Sequence, residues 1–186
     1  FMRLLASGLE PLVADWRDEK CAVLDETGAE IARCERGAFR TLGIQNRAVH
    51  VNGYTPGGLL WVARRSARKR SDPHMLDNLA AGGVAAGESP RRCAVRELWE
   101  EAGVSTRLAR GVDFPGMHIR SLREVQFGLH DEQIIVADLM LPSQFRPIGQ
   151  DGEVAEFLCM TEAQVEAALV GGEFTVEAAL SMREFL

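Results

Sequence analysis

The sequence predicts an α/β domain in which a mixed β-sheet is covered by a few helices. Three observations point there. Short apolar-alternating segments recur between turn residues, one segment carries a full set of helix signals, and two more helical stretches close the chain. A length of 186 residues corresponds to one domain with room for a small appendage. An apolar content of 46% is enough for a core without disulfide or metal staples.

Residues 1–47 read as a small N-terminal β-hairpin subdomain and residues 48–186 as the main domain. In the first unit, Lys20 to Leu24 and Ala29 to Cys34 are strand candidates around the turn Asp25-Glu26-Thr27-Gly28. Ala38 to Leu42 reads as a short helix stopped by Gly43. Ala48 to Tyr54 and Leu59 to Arg65 are strands joined by Thr55-Pro56-Gly57-Gly58, and Ser66 to Asn78 reads as a loop. The clearest helix opens at Ser89 as N-cap, with Pro90 at the first position and Gly103 as the stop. Ala94, Leu98 and Ala102 give it one buried stripe. His118 to Gly128 and Gln133 to Leu141 read as a hairpin closed by Leu129 to Glu132, and Glu153 to Met160 as a further strand. Thr161 with Gln164 forms a capping box for a helix ending at Gly171-Gly172, and Thr175 to Leu186 is a last amphipathic segment.

Charge and composition exclude several classes. There are 21 basic and 27 acidic side chains, giving a net charge of −6, so a general nucleic-acid binder is not expected. No apolar run approaches the roughly 20 residues of a membrane span. Phe1 to Asp18 lacks the basic-then-apolar order of a signal peptide. Cys21, Cys34, Cys93 and Cys159 show no metal-binding spacing and read as reduced thiols of a cytoplasmic protein.

The chemistry concentrates in residues 82–104, GGVAAGESPRRCAVRELWEEAGV. On a helix Glu97, Glu100 and Glu101 share one face. Three adjacent carboxylates without interleaved lysines are either a solvated acidic face or a grip for a hard divalent cation, which favours carboxylate oxygens, water and phosphate oxygens. Gly82, Gly83 and Gly87 let the preceding loop bend close to a ligand. The order Gly82, five residues, Glu88, seven residues, Arg96-Glu97-Leu98, one residue, Glu100-Glu101, one residue, Gly103-Val104 resembles the Nudix box, with every fixed position filled.

That resemblance implies the Nudix fold, a mixed β-sheet sandwiched between helices, and a pyrophosphohydrolase that cleaves a diphosphate linkage with magnesium or manganese. Carried onto this chain, it makes Gly82, Glu97, Glu100 and Glu101 the metal set and Arg96 the residue that orients the glutamates. A general base often follows the box; Glu153 is the candidate, either in that role or as an exposed strand-end residue, with Glu156 and Glu132 in reserve. The partner implied is a small-molecule diphosphate, and a homodimer is left open.

A narrower likeness follows from His50-Val51-Asn52-Gly53-Tyr54, Leu60 to Ser66, Met75-Leu76-Asp77-Asn78, Pro142 to Pro147 and Asp151-Gly152-Glu153-Val154. Together they resemble the Nudix domain associated with thiamine pyrophosphokinase, from about Trp16 to Phe185. It implies hydrolysis of thiamine diphosphate, or its oxidised analogues, to the monophosphate. Hydrolysis of a nucleoside diphosphate derivative is the alternative. Isopentenyl diphosphate isomerase is disfavoured, because the cysteine nearest before the box is Cys34, in the N-terminal unit. Within RRSARKR, Arg64, Arg65 and Lys69 are candidate phosphate ligands, beside Gly82 and Gly83, whereas for Arg68 and Arg70 a solvated basic loop is the plainer reading. Asn78 either contacts the substrate or caps a turn. Trp61 and Trp99 stack on a ring or belong to the core. His50, His74 and Cys93 read as structural.

Overall fold

In the computed structural model, residues 18–126 and 128–186 are described. The leader reading of Phe1 to Asp18 and the first part of the 1–47 unit therefore lie almost wholly outside the described residues. Strands β1 (Lys20–Leu24) and β2 (Glu30–Glu35) pair antiparallel as a two-stranded sheet of their own. The Asp25 carboxylate closes their turn by accepting from Thr27 N and Ala29 N at 2.8 and 3.0 Å. An isolated two-stranded hairpin is marginal in water. This one is docked: Lys20 O accepts from Ala86 N at 2.9 Å, and Cys21 is buried. A single 3-10 turn, Arg36–Ala38, leads into the short helix α1 (Phe39–Leu42).

The main sheet is built on β3 (Asn46–Tyr54). Its whole length pairs in parallel with β8 (Gly128–Met140), which pairs antiparallel with β7 (His118–Val125). The opposite edge of β3 is shared. Gly53 and Tyr54 pair with β4 (Leu60–Arg65), after which β6 (Ala80–Gly83) pairs with residues 48–51. Strand β4 carries β5 (Leu76–Asp77) on the same edge and β9 (Val154–Met160) on the other. The mixed sheet is as expected, but the Ser66 to Asn78 loop ends in β5, and β6 follows it. β5 is too short, and β6 too short and glycine-rich, to announce itself.

Period-two alternation along β3 sorts the two faces. Val49 and Val51, with Ile135, Ala137 and Leu139 of β8, pack on Cys93, Ala94, Leu98 and Ala102 of α2 (Pro90–Ala102). On the other face Leu60 and Val62 meet Val165 and Ala168 of α4 (Glu162–Val170), and Ala178 and Met182 of α5 (Val176–Phe185). Helices thus cover both faces, with a further short helix, α3 (Thr106–Ala109), that the sequence did not announce. The expected caps are present. Ser89 Oγ accepts from Arg92 N, Gly103 is left-handed, and Thr161 and Gln164 cap reciprocally. Among the described residues no helix is long and apolar enough to cross a membrane.

The β7–β8 hairpin turns earlier than expected, with Val125 opposite Gly128, so Leu129 to Glu132 are strand rather than turn. His130, Asp131 and Glu132 suggest a turn by polarity, yet all three are buried. Asp131 receives both Arg120 Nε and Nη2, at 2.9 and 2.7 Å. His130 Nε2 lies 3.1 Å from the Glu177 carboxylate on α5, and Glu132 lies between His50 and His130. Tertiary partners, absent from a local reading, turn a polar run into strand.

Candidate active site

Helix α2 carries the acidic residues, and it packs against β6. Glu97 and Glu101 point towards that strand and are buried, whereas Glu100 is nearly half exposed. The solvated-face reading therefore fails for Glu101, which is 7% exposed because its turn of the helix faces β6 rather than solvent. At Gly82 a Cβ would overlap the Glu97 carboxylate, so only glycine fits there.

The three glutamates divide into two groups. Arg96 gathers the first. Its Nε and Nη2 donate to the two oxygens of Glu88 at 3.1 and 3.0 Å, and Nη1 donates to Glu97 at 2.5 Å and Glu100 at 3.3 Å. Nη2 also reaches Gly83 O at 3.1 Å, tying helix to strand. The second group is Glu101, Asp151 and Glu153, whose nearest oxygens lie within 4.8 Å of one another. The loop before β9 brings the latter two in by capping α2. Ile148 N and Gln150 N donate to the carbonyls of Ala102 and Glu100, which a helix end leaves without helical donors. Asp151 then accepts from Glu153 N at 2.8 Å. Lys69 bridges the group, donating to Glu101 at 3.2 Å and to Glu153.

The sequence reading passed over Asp151 and one backbone group. Val84 N donates to Arg47 O, which sets the antiparallel alternation along β6. Gly82 therefore turns its peptide groups into the ladder opposite Val49, while those of Ala81 face the free edge. Ala81 N accordingly donates to Glu101 at 2.9 Å. The Ala81 carbonyl therefore lies on the same edge as the Glu101 carboxylate.

Burial, followed by the charge of Glu101, pushes Glu97 up to about 8 despite Arg96. A folded-state value above the ordinary 4.5 means that the folded chain holds more protons than the unfolded chain between those values. Stability of metal-free protein should therefore fall as pH rises from about 5 to about 8. Urea unfolding across that range checks this against Glu97→Gln, in which the slope should shrink; equal slopes would remove Glu97 as the cause.

The remaining candidates are committed to partners. Arg64 donates to Glu156 at 2.7 Å and to His74 O at 3.1 Å. Arg65 bonds Asp77 at 2.6 Å and the carbonyls of Ser71 and Asp72, bracing the 66–77 loop. Asn78 is buried between His50 at 2.8 Å and Asn52 at 2.6 Å, within a polar layer under α5. The Cys93 thiol sits 3.4 Å from Gly83 O, and burial raises it far above the thiol range. Trp61 is core, with Arg146 above its ring, but Trp99 is 53% exposed, so the core reading fails there.

This geometry can be set beside known proteins. The family model for the NUDIX domain matches residues 45–179. Nudix hydrolase 20, chloroplastic, of Arabidopsis thaliana is 38% identical over 138 residues, covering 73% of this chain and 37% of its own length. YJR142W, an uncharacterized protein of Saccharomyces cerevisiae, is 30% identical over 190 residues, 94% of this chain and 55% of that one. The chain thus spans only about a third to a half of these relatives. DR0079 of Deinococcus radiodurans superposes with a TM-score of 0.66 at 22% identity, covering 89% of this chain and 98% of that one, which shows the shared fold. A box with every fixed position filled, the strand–loop–helix that displays it, and a match over most of the sequence agree: the chain belongs to the Nudix family.

Proposed function

We propose that this protein is a divalent-metal-dependent hydrolase of a small-molecule diphosphate, with thiamine diphosphate or its oxidised analogues as substrate and the monophosphate and phosphate as products. The observation that carries the hydrolytic reading is the carboxylate group of Glu101, Asp151 and Glu153 at the free edge of β6. Its chemistry fits a hard cation: three carboxylates with a backbone carbonyl beside them, and the ammonium of Lys69 already drawn among them. Glu101, Asp151 and the Ala81 carbonyl would hold the ion, with Glu97 adjoining and Glu153 beside it as the base. Magnesium or manganese bound there supplies charge neutralisation of the diphosphate and lowers the pKa of the attacking water.

The chain's own residues do the rest. Arg96 keeps Glu97 and Glu100 in place from behind. Lys69 holds Glu153 towards Glu101. Glu153 takes the proton as the water oxygen bonds to phosphorus and the bridging P–O bond breaks. The thiamine-type reading is supported by the likeness of the flanking segments at 50–54, 60–66, 75–78 and 142–154. Four free cysteines support a reducing compartment such as the cytoplasm.

A magnesium-supplemented panel tests substrate class, comparing thiamine diphosphate and its oxo and oxy analogues with dinucleoside polyphosphates and nucleotide sugars. Release of phosphate and a thiamine-type monophosphate is expected. Turnover confined to the nucleotides would overturn the thiamine reading; no turnover of any diphosphate would overturn the hydrolase.

A further inference from the structure

The hairpin β1–β2 and Arg36 lie outside residues 45–179, the part that matches the family, yet they meet the glycine-rich strand and the turn that follows it. Lys20 O binds Ala86 N just beyond the strand. Arg36 meets the strand itself: a Cβ built on Gly83 would lie 3.2 Å from the guanidinium carbon, 3.3 Å from Nη2 and 3.4 Å from Nε. The guanidinium thus lies just beyond the place where a Gly83 side chain would begin. Its pose is fixed from behind, since Nη1 donates to both oxygens of Glu19 at 3.3 and 3.0 Å, and Arg36 N donates to Glu19 O at 2.8 Å.

We infer that the N-terminal hairpin is a working part of the diphosphate site, in which Arg36 is a positioning residue that presses on Gly83 and holds β6 at the height where Ala81 faces Glu101. The inference rests on the metal-dependent reading above. Gly83 is held from two sides, by Arg96 through its carbonyl and by Arg36 on its Cα side. Its φ is not positive, so the close approach of Arg36, rather than an unusual backbone, is what a side chain at this position would meet. Glu97 is close enough for its charge to act on Arg36, which places the contact beside the acidic wall. Removing the guanidinium takes away the group nearest to Gly83 on that side, and orientation of outer partners typically changes metal affinity by about 10–100-fold.

A double-mutant cycle tests this on the whole protein. Arg36→Ala, Gly83→Ala and the double variant are compared by manganese binding, read by electron paramagnetic resonance without substrate, and by urea unfolding. Each single change should weaken manganese binding by about tenfold, and the double change should be no worse than the poorer single, because the added methyl acts only by displacing the guanidinium and has room once Arg36 is alanine. Arg36→Lys should resemble Arg36→Ala, since an ammonium has no flat face to lay on the strand. Lower stability with unchanged manganese affinity would reduce Arg36 to a fold element, and additive losses would break its link to Gly83; either result overturns the inference. Parent protein that binds no manganese would overturn the metal-dependent reading as well, whereas parent that binds it with variants indistinguishable from it overturns the inference alone.

Discussion

Replacing Glu101 by glutamine should lower turnover by about 10² or more at saturating magnesium, with stability within about 1 kcal/mol of the parent. The two halves of this expectation come from different neighbours. One Glu101 oxygen accepts from Ala81 N and the other from Lys69, while Asp151 and Glu153 stand across from it. Glutamine has the same shape, and its carbonyl oxygen can keep the Ala81 bond. Lys69 retains Glu153. Burial already holds the Glu101 carboxyl above the ordinary range, so removing its charge from the metal-free fold costs little. The divalent ion, in contrast, loses one of the anionic oxygens that would hold it, and several kcal/mol of charge stabilisation depend on that grip. Steady-state kinetics over a magnesium titration, beside urea unfolding, separates the two. Turnover retained with the parent's magnesium dependence would remove Glu101 from the site.

The fold was legible wherever local pattern and tertiary need coincide. The Ser89–Gly103 helix, with its caps and its Ala94, Leu98 and Ala102 stripe, is one such case, and the Thr161–Gln164 capping box is another. The site was legible in part. Spacing put Glu97, Glu100 and Glu101 on one face, but not which of them meets β6. That depends on the docking angle of α2, which buries Glu97 and Glu101 and leaves Glu100 to Arg96. Asp151 had a signal, since Asp151-Gly152-Glu153 is a turn with two acids, but only the contact of residues 148–150 with the end of α2 shows where it goes. The edge role of Ala81 depends on strand register, which no side chain reports. The partners of the basic run were hidden for the same reason: strand pairing sets Glu156 opposite Arg64 and Asp77 beside Arg65, which no local pattern reports.

Gly82→Ala should cost about 1–3 kcal/mol of stability and reduce turnover by about 10² or more. A methyl at Gly82 falls on the Glu97 carboxylate and 2.7 Å from its Cγ, and neither side can yield cheaply. Glu97 is 8% exposed and bonded to Arg96 at 2.5 Å, so moving it breaks the clasp that also holds Glu88 and Glu100. Moving the strand instead disturbs the pairing of Gly82 with Val49, which sits in the core against α2. Either response displaces the β6 edge on which Ala81 faces Glu101. The cause can be isolated by removing the obstacle. In a Glu97→Ala background the added methyl has room, so the stability cost of Gly82→Ala should largely vanish while activity stays low, because Glu97 is gone too. Urea midpoints of the four proteins in this cycle read the coupling directly. An unchanged cost in the Glu97→Ala background would show that Gly82 is required for some reason other than the close approach of Glu97.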